Sequence, residues 1–164
     1  MTHRRRLLNV LIALGCLLAV RSLASAATTE RVSVSSAGEQ GNDWSHQPSI
    51  SADGRYVAFV SYATNLVEGD NNGESHIFVR DRVTGTTERV SVSSAGEEAN
   101  QFSEEWFGPY ISANGRIVAF WSSASNLVPG DTNDRPDVFV HDRASGATER
   151  VSVNSVGEQL APYT

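Results

Sequence analysis

TERVSVSSAGE occupies residues 29–39 and recurs without a change at residues 87–97. A third copy, TERVSVNSVGE, stands at residues 148–158. The offsets are 58 and 61 residues, and from Pro48 onward the larger value holds: Pro48 matches Pro109, Asp53 matches Asn114, Asp70 matches Asp131 and Asp81 matches Asp142. The difference is a three-residue insertion before Pro109. A period of this size marks a supersecondary unit that buries its apolar surface by stacking on copies of itself.

The first residues read as an address. Arg4, Arg5 and Arg6 form a basic start, residues 7–20 an apolar run of 14, and Ala24-Ser25-Ala26 a small-residue cleavage site, so residues 1–26 are expected to be a signal peptide. The run is shorter than the roughly 20 residues a spanning helix needs. Leu14-Gly15-Cys16 resembles a lipoprotein box, but Ala13 stands where such boxes prefer Leu and apolar residues continue past Cys16, which argues against lipid anchoring. Secretion or a periplasmic location is expected.

After residue 26 no cysteine remains, so no disulfide is available. All 13 basic side chains are arginines, four of them before residue 27. Nine arginines therefore face 19 acids, a formal net charge of −10. Such a surface repels phosphate backbones, and nucleic acid and anionic membranes are not expected partners.

Each unit contains four strand-like stretches separated by turn chemistry. The first is PSISA at 48–52, followed by an Asp53-Gly54 turn. The second is RYVAFVS at 55–61, apolar on both faces as in a strand covered on both sides. The third covers 76–82 around Ile77-Phe78-Val79, and Thr84-Gly85 follows. The fourth covers 86–93, with Val90 and Val92 on one face and Arg89, Ser91 and Ser93 on the other, the alternation of a half-exposed outer strand. The second unit repeats the pattern with PYISA, Asn114-Gly115, RIVAFWS, DVFVHDR, Ser145-Gly146 and ATERVSV. No helical spacing occurs outside the signal peptide.

Four short antiparallel strands with a buried second strand describe a propeller blade. P-x-I-S-A-[DN]-G-R-x-V-A-F, at 48–59 and 109–120, resembles the TolB-like, WD-like β-propeller repeat of bacterial exported proteins. That resemblance covers essentially all of residues 29–164 and implies an all-β propeller fold, more often used for binding than for chemistry. The expected organisation is a signal peptide (1–26), an N-terminal outer strand and linker (27–47), blade 1 (48–95), an inter-blade loop (96–108), blade 2 (109–156) and the start of a third blade (157–164). Members of the family it resembles usually carry six or more blades, and Pro162-Tyr163-Thr164 aligns with the opening of a first strand. The sequence therefore reads as an incomplete ring: a truncated piece, an assembling chain (three copies giving six blades), or a two-blade sandwich.

In such a ring the first-to-second and third-to-fourth turns share one side, and here they are short. The other connections are long, and long loops carry function. They hold Glu39, Asp43, Glu68, Asp70, Glu74, Glu97, Glu98, Glu104, Glu105, Asp131 and Asp134, opposed by Arg135 and His46, with Trp44, Phe102, Trp106 and Phe107 among them. An acidic rim with aromatics suits a basic, partly apolar protein or peptide. The ligand-binding candidates are Trp44, Glu104, Glu105, Trp106 and Phe107; the bland reading is a solvated loop face whose aromatics pack between blades. A second candidate is Asp131, Asn133, Asp134 and Asp137, spaced like oxygen ligands of calcium but lacking a Glu at position 12. Its bland reading is an Asx-rich turn. No zinc-ligand pattern, nucleophile elbow or phosphate loop occurs, and no cofactor is expected beyond that calcium. Glu88 beside Arg89 and Glu149 beside Arg150 read as surface pairs, and Asp81 and Asp142 as hairpin caps.

The leading expectation is an exported, non-enzymatic binding or scaffold module. The alternatives are the propeller portion of a larger exported hydrolase or peptidase, and a calcium- or glycan-binding module.

Overall fold

The computed structural model describes residues 28–103 and 107–159. The expected signal peptide with Cys16, the loop residues Glu104, Glu105 and Trp106, and residues 160–164 lie outside the described residues. No helix among the described residues is long and apolar enough to cross a membrane.

Two sheets form the fold. In the first, β1 (Ser45–Ile50), β2 (Tyr56–Ser61), β3 (His76–Asp81) and β4 (Thr86–Arg89) pair in chain order; in the second, β5 (Tyr110–Ile111), β6 (Ile117–Ser122), β7 (Asp137–Asp142) and β8 (Ala147–Arg150) do the same. All neighbours are antiparallel. Ser45, Ser61 and His76 lie side by side at one end, and Ile50, Tyr56, Asp81 and Thr86 at the other. The long connections therefore share the first end, as expected, and the short turns the second.

The turns form for local reasons. Asp81 Oδ1 accepts the backbone N–H groups of Val83 and Thr84 at 2.9 and 3.3 Å, and Asp142 Oδ1 that of Ala144 at 3.0 Å. Both aspartates also receive two hydrogen bonds from an arginine of the preceding turn, Arg55 at 3.0 and 2.7 Å and Arg116 at 2.8 and 2.6 Å. These hydrogen bonds hold both carboxyls well below the usual range.

The sheets stack face to face. Ala58, Val60, Ile77 and Val79 of the first meet Val118, Phe120 and Phe139 of the second, with Val90, Ala99, Ala124 and Leu127 completing one core cluster. On the opposite face of the first sheet, Phe59, Phe78, Ala63 and Leu66 form a second cluster. The β2 strand is thus covered on both faces, as its continuous apolar run required. The equivalent outward positions of the second sheet are more open: Val151 is 43% exposed where Val90 is 0%.

Repeated polar clasps tie each unit to the next. The Ser36 hydroxyl accepts the Thr87 N–H at 2.9 Å and donates to the Thr87 carbonyl at 3.3 Å; Ser94 treats Thr148 identically. At the short-turn end Arg82 reaches Glu30 and the Gly54 carbonyl, and Arg143 reaches Glu88 and the Gly115 carbonyl. Arg143 also lies over the Tyr56 ring, 4.3 Å from its centroid. Glu88 is therefore an inter-sheet partner of Arg143, not of its neighbour Arg89.

Three strands are shorter than expected. The outer strands end at Arg89 and Arg150, and the following residues leave the sheet to form small hairpins, with bridges Val92–Glu98 and Val153–Gln159. Ser91 causes the exit: its hydroxyl accepts the Ile77 N–H at 3.1 Å, in place of a backbone carbonyl. Ser93 accepts the N–H groups of Ala95 and Glu97, and both serines are buried rather than outward. In the third copy Asn154 takes the place of Ser93 and binds Val156 and Glu158 in the same way. The strand expected at 109–113 is reduced to Tyr110–Ile111, directly after the inserted residues.

Candidate functional site

The long-loop end of each sheet holds a polar cluster assembled from four separate stretches. In the first unit Asp70 and Asn72 come from the β2–β3 loop, His76 opens β3, Arg89 closes β4, and Glu98 lies on the small hairpin that folds back over the sheet edge. Arg89 Nη1 lies 2.7 Å from Glu98 Oε2 and 3.5 Å from Asp70 Oδ2. His76 Nε2 stands 3.1 Å from Asn72 Oδ1 and 3.9 Å from both Asp70 Oδ1 and Glu98 Oε2. Its Nδ1 is 3.1 Å from the Ser91 hydroxyl. Asn72 Oδ1 can only accept, so the neutral ring carries its proton on Nε2 and Ser91 donates to Nδ1.

Burial sets the electrostatics. The His76 side chain is fully enclosed and that of Asp70 is 2% exposed. Desolvation, reinforced by the Arg89 charge, pushes the imidazole down to about 4. Desolvation also raises the Asp70 carboxyl, against the pull of Arg89. Asp70 Oδ1 is buried with no hydrogen-bond partner.

The second unit repeats the cluster with one exchange. Asp131, Asn133, Asp137, Arg150 and Gln159 stand where Asp70, Asn72, His76, Arg89 and Glu98 stand in the first. His with Glu has become Asp with Gln, so each cluster keeps two carboxylates and one arginine while the second acid changes place. Arg150 Nη1 bridges Asp131 Oδ1 at 3.1 Å, Asp137 Oδ2 at 3.3 Å and Gln159 Oε1 at 2.8 Å. Asn133 Nδ2 donates to Asp137 Oδ2 at 3.1 Å, and the Ser152 hydroxyl donates to Asp137 Oδ1 at 2.5 Å. Burial raises the Asp131 carboxyl, opposed by Arg150.

The four calcium candidates are thus only partly gathered. Asp131, Asn133 and Asp137 converge, but around the Arg150 guanidinium. Asp134 is exposed in a left-handed conformation, φ 51°. The surface-pair reading of Arg89 and Arg150 is corrected: each is 10% exposed and serves buried acids. Asp70 and Asp131 are accordingly internal groups, and the rim retains Glu39, Asp43, Glu68, Glu97 and Asp134 as exposed acids. Sequence reasoning missed Arg89, Glu98 and their counterparts.

Of the peptide-binding candidates, Trp44 is 79% and Phe107 70% exposed, each just before or at the entry to an inner strand. Trp44 is held by backbone: its carbonyl accepts the Tyr62 N–H at 3.0 Å and the Ser61 hydroxyl at 3.0 Å. Phe107 lines an apolar groove of about 210 Å³ with Gly108, Tyr110, Ala119, Trp121 and Val138.

Two consecutive four-stranded antiparallel meanders, stacked through their faces and not closed into a ring, define an incomplete β-propeller. No protein-family model matches the sequence, and no curated protein matches it. Among solved structures, TolB from Acinetobacter baumannii is similar at 20% identity with a TM-score of 0.39, over 66% of this chain and 21% of that one. A structure assigned as TolB from Agrobacterium tumefaciens is similar at 20% identity with a TM-score of 0.42, over 66% of this chain and 33% of that one. The chain thus spans a third or less of the length of these two structures.

Proposed function

We propose that the chain is an exported, non-enzymatic propeller module that binds a basic, partly apolar protein or peptide segment across its long-loop rim. The observation that carries this reading is the exposure of Trp44 on a backbone-fixed loop, with Asp43 and Glu39 exposed on the same connection. A large aromatic held in water by its backbone costs free energy unless a partner covers it, and tryptophan is a preferred interface anchor. The acids beside it supply the charge that steers a cationic segment. The basic start, apolar run and cleavage pattern of residues 1–26 support export.

Titration of the protein with synthetic peptides of graded positive charge, followed by fluorescence anisotropy, tests the proposal. Affinity is expected to rise with peptide charge, to fall with added salt, and to drop at least tenfold in Trp44→Ala and in an Asp43→Arg/Glu39→Arg variant. Equal affinity in parent and variants, or binding indifferent to peptide charge, overturns it.

A further inference from the structure

We propose that Asp70, His76 and Glu98 form a site for one first-row divalent transition-metal ion, with zinc as its simplest occupant. One ligand atom from each lies within 4.8 Å of the other two. The spacing is slightly open for direct ligation. Bonds of about 2.0–2.2 Å to nitrogen and oxygen place tetrahedral ligand atoms roughly 3.3–3.5 Å apart, against the observed 3.9 Å from His76 Nε2 to each carboxylate. Closure asks for about half an ångström between the imidazole and each carboxylate, and for more between the two carboxylates, whose oxygens lie within 4.8 Å of each other. Glu98 can supply it, because its side chain is 26% exposed and sits on the small hairpin rather than in the sheet; its Oε2 is then shared between the ion and Arg89 Nη1, which stands 2.7 Å away.

The independent sign of a ligand is Asp70 Oδ1. It is buried, lacks a hydrogen-bond partner, and faces His76 Nε2. Arg89 approaches Asp70 through the other oxygen, Oδ2, and so leaves Oδ1 unused. A buried carboxylate oxygen without a partner is costly, and a cation between it and the imidazole removes that cost. Asn72 Oδ1, 3.1 Å from Nε2, is a fourth ligand atom at nearly ligand spacing. On binding, the imidazole proton moves to Nδ1 and is donated to the Ser91 hydroxyl, the outer contact that commonly orients a ligating histidine. The edge-on contact with Phe78, at 6.4 Å between centroids, holds the ring in place.

The ligand chemistry selects the ion class. One imidazole nitrogen with carboxylate and amide oxygens suits zinc, cobalt, nickel or manganese over calcium and magnesium, which take oxygen alone. The second unit is the built-in contrast. The arginine reaches both carboxylates in either unit, and with Asp137 and Gln159 in place of His76 and Glu98 the second has no imidazole.

The experiment uses the full chain, treated with chelator and dialysed, then titrated with cobalt by visible absorption and with zinc by calorimetry. The expected result is one ion per chain, with cobalt bands that zinc displaces. The decisive variant is His76→Asp/Glu98→Gln, which copies the second unit's pair into the first and so keeps a set that already folds beside it. It is expected to keep the parent's circular dichroism and melting transition in chelator and to weaken zinc binding at least about 100-fold. His46→Gln and His141→Gln are expected to bind as the parent does. Absence of cobalt bands at millimolar ion overturns the proposal, and so does zinc binding that survives unchanged in the folded double variant.

Discussion

The Ser94 hydroxyl holds Thr148 by both backbone groups, accepting its N–H at 2.9 Å and donating to its carbonyl at 3.3 Å. Thr148 returns the contact through its own hydroxyl, which donates to the Val92 carbonyl at 2.5 Å. A side chain of one unit thus completes the hydrogen bonding of the next unit's outer strand. Ser94→Ala leaves a part-buried N–H without its acceptor and is expected to cost about 1 kcal/mol, read by urea unfolding. Ser36→Ala breaks the matching contact with Thr87 and should cost a similar amount. The two sites share no partner, so their effects should add.

Gly115 and Gly54 occupy equivalent turns but differ in what surrounds them. Both have positive φ, 72° and 71°. A Cβ at Gly115 would stand 2.0 Å from Tyr56 Cδ2, in a ring held beneath Arg143, whereas one at Gly54 meets nothing nearer than 3.7 Å. Gly54→Ala is expected to cost about 1 kcal/mol from backbone strain alone. Gly115→Ala should cost at least about 2 kcal/mol more by forcing the inter-sheet ring aside. Equal melting temperatures for the two variants would contradict the packing described for Tyr56.

The pH dependence of stability follows from His76. Its folded value, about 4, lies below the ordinary 6.5. The unfolded state therefore binds a proton first as pH falls. Stability from this group is complete above about pH 6.5 and is lost progressively toward pH 4, with a slope approaching 1.4 kcal/mol per pH unit. The groups facing the ring are Asp70, Glu98, Arg89, Asn72 and Ser91. In chelator, His76→Gln should flatten the stability profile over that window; a parallel profile would show that the ring is not held neutral.

Arg150 serves two buried carboxylates. Arg150→Met leaves Asp131 and Asp137 uncompensated and is expected to cost about 3–5 kcal/mol. Adding Asp137→Asn should recover part of the loss, since an amide needs no counter-charge. In the parent, with the guanidinium in place, millimolar calcium is expected to leave the melting temperature unchanged; a rise would restore the calcium reading of residues 131–137.

Much of the architecture was legible because it rests on local chemistry. The buried β2 strand showed in an unbroken apolar run, the hairpin turns in Asp81 and Asp142 ahead of glycine, and the sheet number in the repeat. The polar clusters were not legible in the same way. Strand alternation placed Arg89 outward beside Glu88, but alternation describes an isolated sheet and is blind to a hairpin that folds back over its edge. Arg89 instead finds Asp70 and Glu98, from two different loops, and Glu88 finds Arg143 of the next unit. One signal was present: Asp70, Asn72 and Arg89 recur unchanged, while His76 and Glu98 are exchanged together for Asp137 and Gln159. The two exchanged positions adjoin in the first unit, where His76 Nε2 lies 3.9 Å from Glu98 Oε2, and share Arg150 in the second. Trp44 was legible as a loop aromatic, but its exposure was not, because an aromatic in a long connection packs inward as readily as outward.

The arginine clasps at the short-turn end have a consequence for assembly order. Glu30 with Arg82 and Glu88 with Arg143 use the same residue types, and each arginine takes the carbonyl of the glycine 28 residues before it, Gly54 or Gly115, while the glutamate stands 52 residues before the arginine in the first joint and 55 in the second. The charged part of the joint is thus repeated, whereas the Tyr56 ring packed against Gly115 has no counterpart at Gly54 among the described residues. The order of the units is therefore written into one aromatic contact as well as into the covalent connection, while the charged vocabulary of the joint is common to both.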